Sequence, residues 1–541
     1  MSKKVTGIFL SGLLSLLFFA NPSFGQAKAP GQPLRVSLQR RIASDSLKGV
    51  IKIVNEIQQW DSRQTAIIIC DMWNQHWCKG ATRRVEELAP QVNRVISIAR
   101  QKGVLIVHAP SDCMGFYKNY PGRKMAQQSM SKKAAGIIKD DELGAEKNVP
   151  WPIDQSDGGC DDSPTCQQGS PWTHQTDLIT IEDQDAISDN GAEIGGLFYK
   201  KGIHNVILMG VHTNMCVIGR TFGLRNMVRL GMNVVLMRDL TDVMYNSRQS
   251  PFVPHFTGIS LIEEHIETYV CPTMVSSDFT GEKQFRFQSD KRPVLAFIIA
   301  ENEYHANESL PAFAHELLLK KGVNCEFALG KPVYEGEGIH NIENLQILKD
   351  ADLAVIQVRR RALPSEQMNL IRDYAKTGKP ILGLRTASHA FNANQVVPNK
   401  GGAVVAATGK VPEFLDQWPE FDEEVIGGNY QGHHGPTKTG IVFSVVPGME
   451  NHPLLHGVSS QDFTGPVESI HTLYKNRPLR SASVQVLLTG KIPDQPEEPV
   501  LWINHRPNGK VIYTSMGHWM DWKLDQFHQI MFNAIDYLLQ Q

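Results

Sequence analysis

Gly210-Val211-His212-Thr213-Asn214-Met215-Cys216-Val217 follows the apolar run Val206-Ile207-Leu208-Met209 and precedes a helix-like segment over residues 215–230. The pattern predicts a buried strand that turns into a helix, with a cysteine at the turn. Unpaired backbone N–H groups and the positive end of a helix dipole favour thiolate over thiol at such a place. Far upstream, Ala66-Ile67-Ile68-Ile69-Cys70-Asp71 reads as a second buried strand, and this one ends in a carboxylate. Parallel α/β sheets collect their chemistry at the C-terminal ends of strands. Asp71 and Cys216 are therefore candidates for one site, as base and nucleophile.

Working outward, strand-like runs occur at 65–70, 104–108, 177–181, 205–209 and 233–237. Helical periodicity occurs at 83–101, 191–201, 215–230 and 258–270. Strands alternating with helices across Gly-containing turns imply a parallel sheet covered on both faces. Residues 113–176 break the rhythm. They are rich in Pro, Gly and Asp and carry Trp151 and Trp172, and loops of that length are usually lids or insertions. A second alternation begins at Pro293, with strands expected at 294–299, 324–328, 353–357, 380–384 and 510–515. Its helices are expected at 310–321, 364–376 and 525–539. The predicted class is α/β, as two consecutive three-layer α/β/α domains, each with a mostly parallel sheet. They span 60–272 and 293–541, joined by a linker over 273–292, and a segment of low order is expected up to about residue 45.

A chain of 541 residues is too long for one ordinary core. A net charge of −2 leaves no electrostatic footprint for nucleic acid or an anionic membrane. Lys3 and Lys4 precede an apolar run over residues 8–20, then Asn21-Pro22-Ser23-Phe24-Gly25. This reads as a secretory signal over residues 1–25, cleaved after Gly25, with an uncleaved N-terminal anchor as the alternative. The expected location is secreted, in the periplasm, with no membrane association after cleavage. The 8 cysteines are then read in an oxidising compartment. Cys160 and Cys166 are close enough to pair locally, Cys70 reads as a buried thiol, and Cys216 must stay free to be a nucleophile. Asp161 and Asp162 read as solvated loop residues, with a Ca²⁺ role as the alternative.

The strand ending in Asp71-Met72-Trp73-Asn74, paired with the Gly210 to Val217 motif, resembles the isochorismatase-like cysteine hydrolases, which include nicotinamidases and other small-amide hydrolases. Arg238-Asp239-Leu240-Thr241-Asp242 fits the same pattern. The resemblance implies a Cys216 thiolate that attacks a carbonyl or imine carbon while Asp71 shuttles the proton. It also implies a cis peptide at Val211–His212, with the N–H groups of His212 and Cys216 as oxyanion donors. The family's third catalytic residue, a lysine, is missing: no Lys or Arg occurs between Asn148 and Tyr199, and Glu182 stands at or beside the lysine position. Three readings stay open. Another cation, Arg123 or Lys124, serves instead; or Asp71, Glu182 and His108 bind a metal; or the site is a pocket without catalysis.

From Pro293 onward the chain resembles the ThuA-like (trehalose utilisation) domain, a relative of the class I glutamine amidotransferase fold. The matching pieces are Glu303-Tyr304-His305, the run from Gly383 to Phe391, Gly432-His433-His434-Gly435, His452-Pro453-Leu454, and Tyr513 to His518. Gly383 to His389 lies where those relatives carry a nucleophilic cysteine. No cysteine follows Cys325, so glutaminase chemistry is excluded. Glu303, Arg385, His389, His433, His434 and His518 are left as a site for a metal or for acid–base work on a sugar. The expected function is a secreted, divergent cysteine hydrolase for a small C–N or carbonyl substrate, fused to a sugar-processing domain. The alternative is a non-catalytic carbohydrate-binding protein with degenerate sites. A divalent metal in either domain, a sugar ligand beside the small-molecule substrate, and an oligomer are left open.

Overall fold

The computed structural model describes residues 31–45, 47–301, 303–331, 340–393, 414–435, 439–459, 461–465 and 473–540. The expected signal segment lies outside them. The first sheet contains β1 (Pro33–Ala43), β2 (Ile51–Asp61), β3 (Thr65–Cys70), β4 (Leu105–Ala109), β5 (Ala186–Ile187), β6 (Asn205–Val211), β7 (Asn233–Asp242) and β8 (Thr273–Met274). Their order is β2-β1-β8-β7-β6-β3-β4-β5. The run from β8 to β5 is parallel, and β1 is antiparallel to both its neighbours. Every residue of β3 is buried, as a central strand covered on both faces requires. Cys70 on β3 lies opposite Gly210 on β6, so the segments after both strands leave the sheet side by side. A Cβ at Gly210 would meet the Cys70 carbonyl oxygen at 2.1 Å, which is why no larger residue fits there.

The helix Lys79–Lys102 covers one face through Val85, Leu88, Val92, Val95, Ile96 and Ala99, all at helical spacing. It stops at Gly103, whose left-handed φ of 95° closes the last turn. Truncating one of these side chains, such as Leu88→Ala, would cost about 2–5 kcal/mol.

Four sequence expectations change here. The segment before residue 45 is an ordered hairpin, β1 with β2, whose Leu34, Val36 and Leu38 face inward in strict alternation. It joins the halves: Ile53 of β2 belongs to the core of the second half, and the helix Ala306–Lys321 packs on β2. Residues 177–181 form no strand, and the sheet edge is the two-residue β5. The run 215–230 is not one helix but a π turn, Thr213–Val217, and a short helix, Leu224–Arg229, entered from Gly223. The linker 273–292 holds β8 and the helix Ser277–Thr280, so part of it completes the first sheet.

The second half contributes β9 (Val294–Ala300), β10 (Asn324–Gly330), β11 (Ile342–Glu343), β12 (Leu353–Val358), β13 (Leu363–Pro364), β14 (Ile381–Leu384), β15 (Leu415–Asp416), β16 (Val442–Val445), β17 (Phe463–Thr464), β18 (Val484–Lys491), β19 (Glu498–Arg506) and β20 (Gly509–Thr514). The large sheet runs β11-β10-β9-β12-β14-β20-β19-β18-β16-β17, and β13 pairs with β15 apart from it. Its parallel core, β10 to β20, carries the helices Ala306–Lys321, Ser365–Lys376 and Asp525–Leu539. The strands β16 to β19 extend it as an antiparallel wing. Arg238 of β7 bridges to Glu326 of β10 at 3.3 Å, and Arg35 of β1 to Glu343 of β11 at 2.7 Å. Among the described residues no helix is long and apolar enough to cross a membrane.

Candidate functional site

Asp71 leaves β3 in the left-handed region, φ 46°, with its carboxylate buried. A non-glycine residue in that region is held there by its surroundings, and such residues cluster at functional sites. Here three partners hold it. The Ser111 N–H donates to Oδ1 at 2.7 Å, the Arg220 Nε donates to Oδ2 at 3.3 Å, and the Cys216 thiol donates to the same carboxylate. The Val211–His212 peptide is cis. The His212 N–H points at the Cys216 sulfur. In the following π turn the Val217 N–H reaches back to the His212 carbonyl at 3.1 Å.

Burial pushes the Cys216 thiol well above its ordinary range, and the Asp71 charge pushes it further. Arg220 and the His212 N–H pull it back only in part. The expectation of a resting thiolate is thereby corrected: burial and the Asp71 charge outweigh the groups that favour it. Burial also raises Asp71, against the downward pull of Arg220 and the Ser111 N–H. A thiol that keeps its proton, hydrogen-bonded to a carboxylate of raised basicity, is arranged for general-base activation rather than for a standing thiolate.

Glu182 is not part of this site. Its side chain is 45% exposed and lies 3.8 Å from Arg100, while its N–H serves the buried Asp185. The misplacement follows from the absent strand at 177–181: the chain enters the sheet only at β5, so Asp185 and not Glu182 is carried inward. His108 has both ring nitrogens engaged, by Gln175 at 3.0 Å and Asp185 at 3.1 Å. Asp71, Glu182 and His108 therefore do not converge as metal ligands. Arg123 is buried against Glu193, and Lys124 is exposed. The cation beside the thiol is Arg220, which the sequence reading missed. Its position four residues after Cys216, about one helical turn, was the available signal.

Trp73, Cys113, Tyr117 and Ile187 form a small buried apolar cluster, and Cys216 and Trp172 pack against it. Trp172 comes from the 113–176 insertion and stacks on Trp73 with centroids 4.2 Å apart. The Trp73–Gln175 bridge and the Asn74 N–H bond to the His174 carbonyl tie the insertion to the segment after β3.

In the second half, Arg385 also follows a central strand, β14, with a left-handed φ of 41°. Its guanidinium lies over Tyr304 at 4.1 Å and Tyr474 at 4.9 Å and donates to the Ser515 carbonyl at 3.0 Å. His389 stacks on Tyr430 at 4.3 Å. Burial, then the Arg360, Arg359 and Arg385 charges, hold its pKa well down and the ring neutral. His518 meets the Tyr304 ring edge-on at 5.6 Å. Exposed His433 lies near enough for its charge to act on His389. These residues form one aromatic and basic cluster, most of it buried. His434 is different: it is buried and bound to Glu498 at 3.0 Å, a structural contact. Glu303 is paired with Arg359 at 2.9 Å and partly exposed. The buried carboxylate at the end of β9 is Glu301, which accepts the Tyr304 and Ala306 N–H groups and is pushed by burial up to about 7. Among the described residues, the second-half histidines form no cluster of three converging ligand atoms.

Residues 294–538 match the ThuA family model, described as trehalose utilisation. No curated protein matches the chain. Among solved structures, a ThuA-like protein of Bacteroides uniformis is similar at 18% identity, covering 47% of this chain and 95% of its own, with a TM-score of 0.33. A cysteine hydrolase of Pseudomonas syringae pv. phaseolicola is similar at 12% identity, covering 40% and 92%, with a TM-score of 0.26. An isochorismatase family protein of Burkholderia thailandensis is similar at 10% identity, covering 40% and 95%, with a TM-score of 0.24.

Proposed function

We propose that the first half is a cysteine hydrolase for a small planar amide or related carbonyl compound, in a chain exported to the periplasm. The observation that carries this reading is Arg220, which sits on the Asp71 carboxylate beside the Cys216 thiol and supplies the positive charge that a lysine would otherwise bring. In the proposed reaction Cys216 Sγ attacks the carbonyl carbon and its proton passes to Asp71. The His212 N–H receives the oxyanion, and Asp71 then protonates the leaving amine. A water that gives its proton to Asp71 hydrolyses the thioester, releasing the acid and restoring the thiol. The aromatic pair Trp73 and Trp172 would hold the planar group.

In the second half the cluster around Arg385 has no cysteine nucleophile, so binding is the reading its chemistry favours there. The tyrosine faces suit the C–H face of a sugar, and the planar donor fork of Arg385 suits its hydroxyls. The test of the hydrolase reading is ammonia release from nicotinamide and benzamide by the full chain, with Cys216→Ser beside it. Release that the variant loses by at least about 10³-fold supports it. Equal background from both proteins, with no acyl group trapped on Cys216, contradicts it.

A further inference from the structure

Cys78 precedes the helix Lys79–Lys102, while Cys160, Asp162 and Cys166 lie within the 113–176 insertion. The fold brings all four together. Asp162 Oδ2 is 3.5 Å from Cys78 Sγ, 3.9 Å from Cys160 Sγ and 3.4 Å from Cys166 Sγ. The ligand atoms of Cys78, Cys160 and Asp162 all lie within 4.8 Å of one another, and the Cys160 sulfur is in hydrogen-bond contact with both other sulfurs. A tetrahedral ion with bonds of about 2.3 Å to sulfur and 2.0–2.2 Å to oxygen has sulfur–oxygen edges of about 3.5 Å. The spacings to Cys78 and Cys166 match that edge, and the one to Cys160 is about 0.4 Å longer.

The surroundings fit a filled site. Gly80 N–H donates to Asp162 Oδ2 at 2.6 Å, and Arg83 pairs with Oδ1 at 2.9 Å, which orients the carboxylate. The N–H groups of Ala81 and Lys79 point at the sulfurs of Cys78 and Cys166. Asp161 is held by Arg84 at 2.8 Å and by His255 at 3.5 Å. Asp161 and Asp162 are therefore not free solvated residues. Cys160 and Cys166 touch without being bonded. Three thiols and one carboxylate make a soft donor set, which selects zinc over calcium or magnesium.

We propose that Cys78, Cys160, Cys166 and Asp162 bind one structural zinc ion, which fastens the insertion to the helix 79–102 and so keeps Trp172 over Trp73. With four protein ligands the ion has no open position, and its role is to fix the lid. The fastening joins segments about eighty residues apart in sequence, where a clip restricts the unfolded chain most.

The test uses the full chain grown with zinc. Metal analysis of the purified protein should give about one zinc per chain, and a thiol count in denaturant with chelator should give all 8 cysteines. Cys160→Ser and Asp162→Ala should each lower the zinc to about a tenth or less. If those variants do not fold, cobalt titration of the metal-depleted wild type decides. The proposal expects intense tetrahedral cobalt bands with thiolate-to-cobalt charge transfer, saturating at one equivalent. Chelation should also open residues 113–176 to limited proteolysis while the rest of the chain resists. Zinc below about a tenth per chain with no cobalt–thiolate bands, zinc that persists in the variants, or a thiol count short by two because two of the three cysteines have formed a disulfide, would each overturn the proposal.

Discussion

The two sheets place a non-glycine residue in the left-handed region at the end of a central strand, Asp71 after β3 and Arg385 after β14. What surrounds each residue differs. Around Asp71 are a thiol, a guanidinium and a backbone donor, a set that can move a proton to and from sulfur. Around Arg385 are tyrosine faces, a carbonyl and a neutral histidine stack, a set that can hold a ligand but brings no cysteine. The same edge of the same kind of sheet thus carries two different sets of side chains. Substitutions at five positions test that contrast.

Arg220→Ala removes the charge that offsets Asp71. We expect kcat of any hydrolase activity to fall about 10²–10³-fold with KM little changed, and Arg220→Lys to restore a part. An unchanged kcat would show that Arg220 does not supply the missing positive charge. On the other side, Glu301→Gln probes the buried carboxylate at the end of β9. Burial raises its folded pKa from 4.5 to about 7. Between those values the folded state binds more protons than the unfolded state, so wild-type stability falls as pH rises through that window. The neutral variant should escape this loss and gain up to about 3 kcal/mol relative to wild type from pH 4.5 to above pH 7. Denaturant melts across that range check it, and a stability difference that does not change with pH would place the carboxylate in water.

His434→Ala breaks the buried contact with Glu498 and should cost about 1–3 kcal/mol of stability without weakening any sugar binding per folded molecule. His389→Ala is its counterpart, expected to weaken binding with less loss of stability. Reversed outcomes would exchange their roles. Glu182→Gln, on the exposed side chain outside the thiol site, should change stability by no more than about 0.5 kcal/mol and leave turnover alone. A large effect on turnover would return Glu182 to the site.

Much of this was legible because long apolar runs carry it. The unbroken Ala66–Ile69 and Val206–Met209 runs can only be buried strands, and they set Asp71 beside the Cys216 turn. The hairpin at 33–61 was not recognised, although Leu34, Val36 and Leu38 alternate as a half-buried strand should. Its polar neighbours read as a loop, and its partner face lies in both halves of the chain. Arg220 was missed because its role depends on a π turn that the periodicity of 215–230 conceals. Glu182 was misplaced because residues 177–181 look like a strand while only Ala186 and Ile187 pair. The cysteine cluster joins positions 78 and 160–166, a contact that spacing along the chain cannot reveal.

The most direct test of the central claim is the rate at which iodoacetamide labels Cys216 at pH 7, read by peptide mapping, in wild type and in Asp71→Asn. If Asp71 takes the thiol proton, the variant should label about tenfold more slowly or worse, because its amide cannot act as that base. If Asp71 only raises the thiol pKa through its charge, removing that charge frees the thiolate and the variant should label faster. Slower labelling is what this account predicts; faster labelling, or Cys216 reacting no differently in the two proteins, would contradict it.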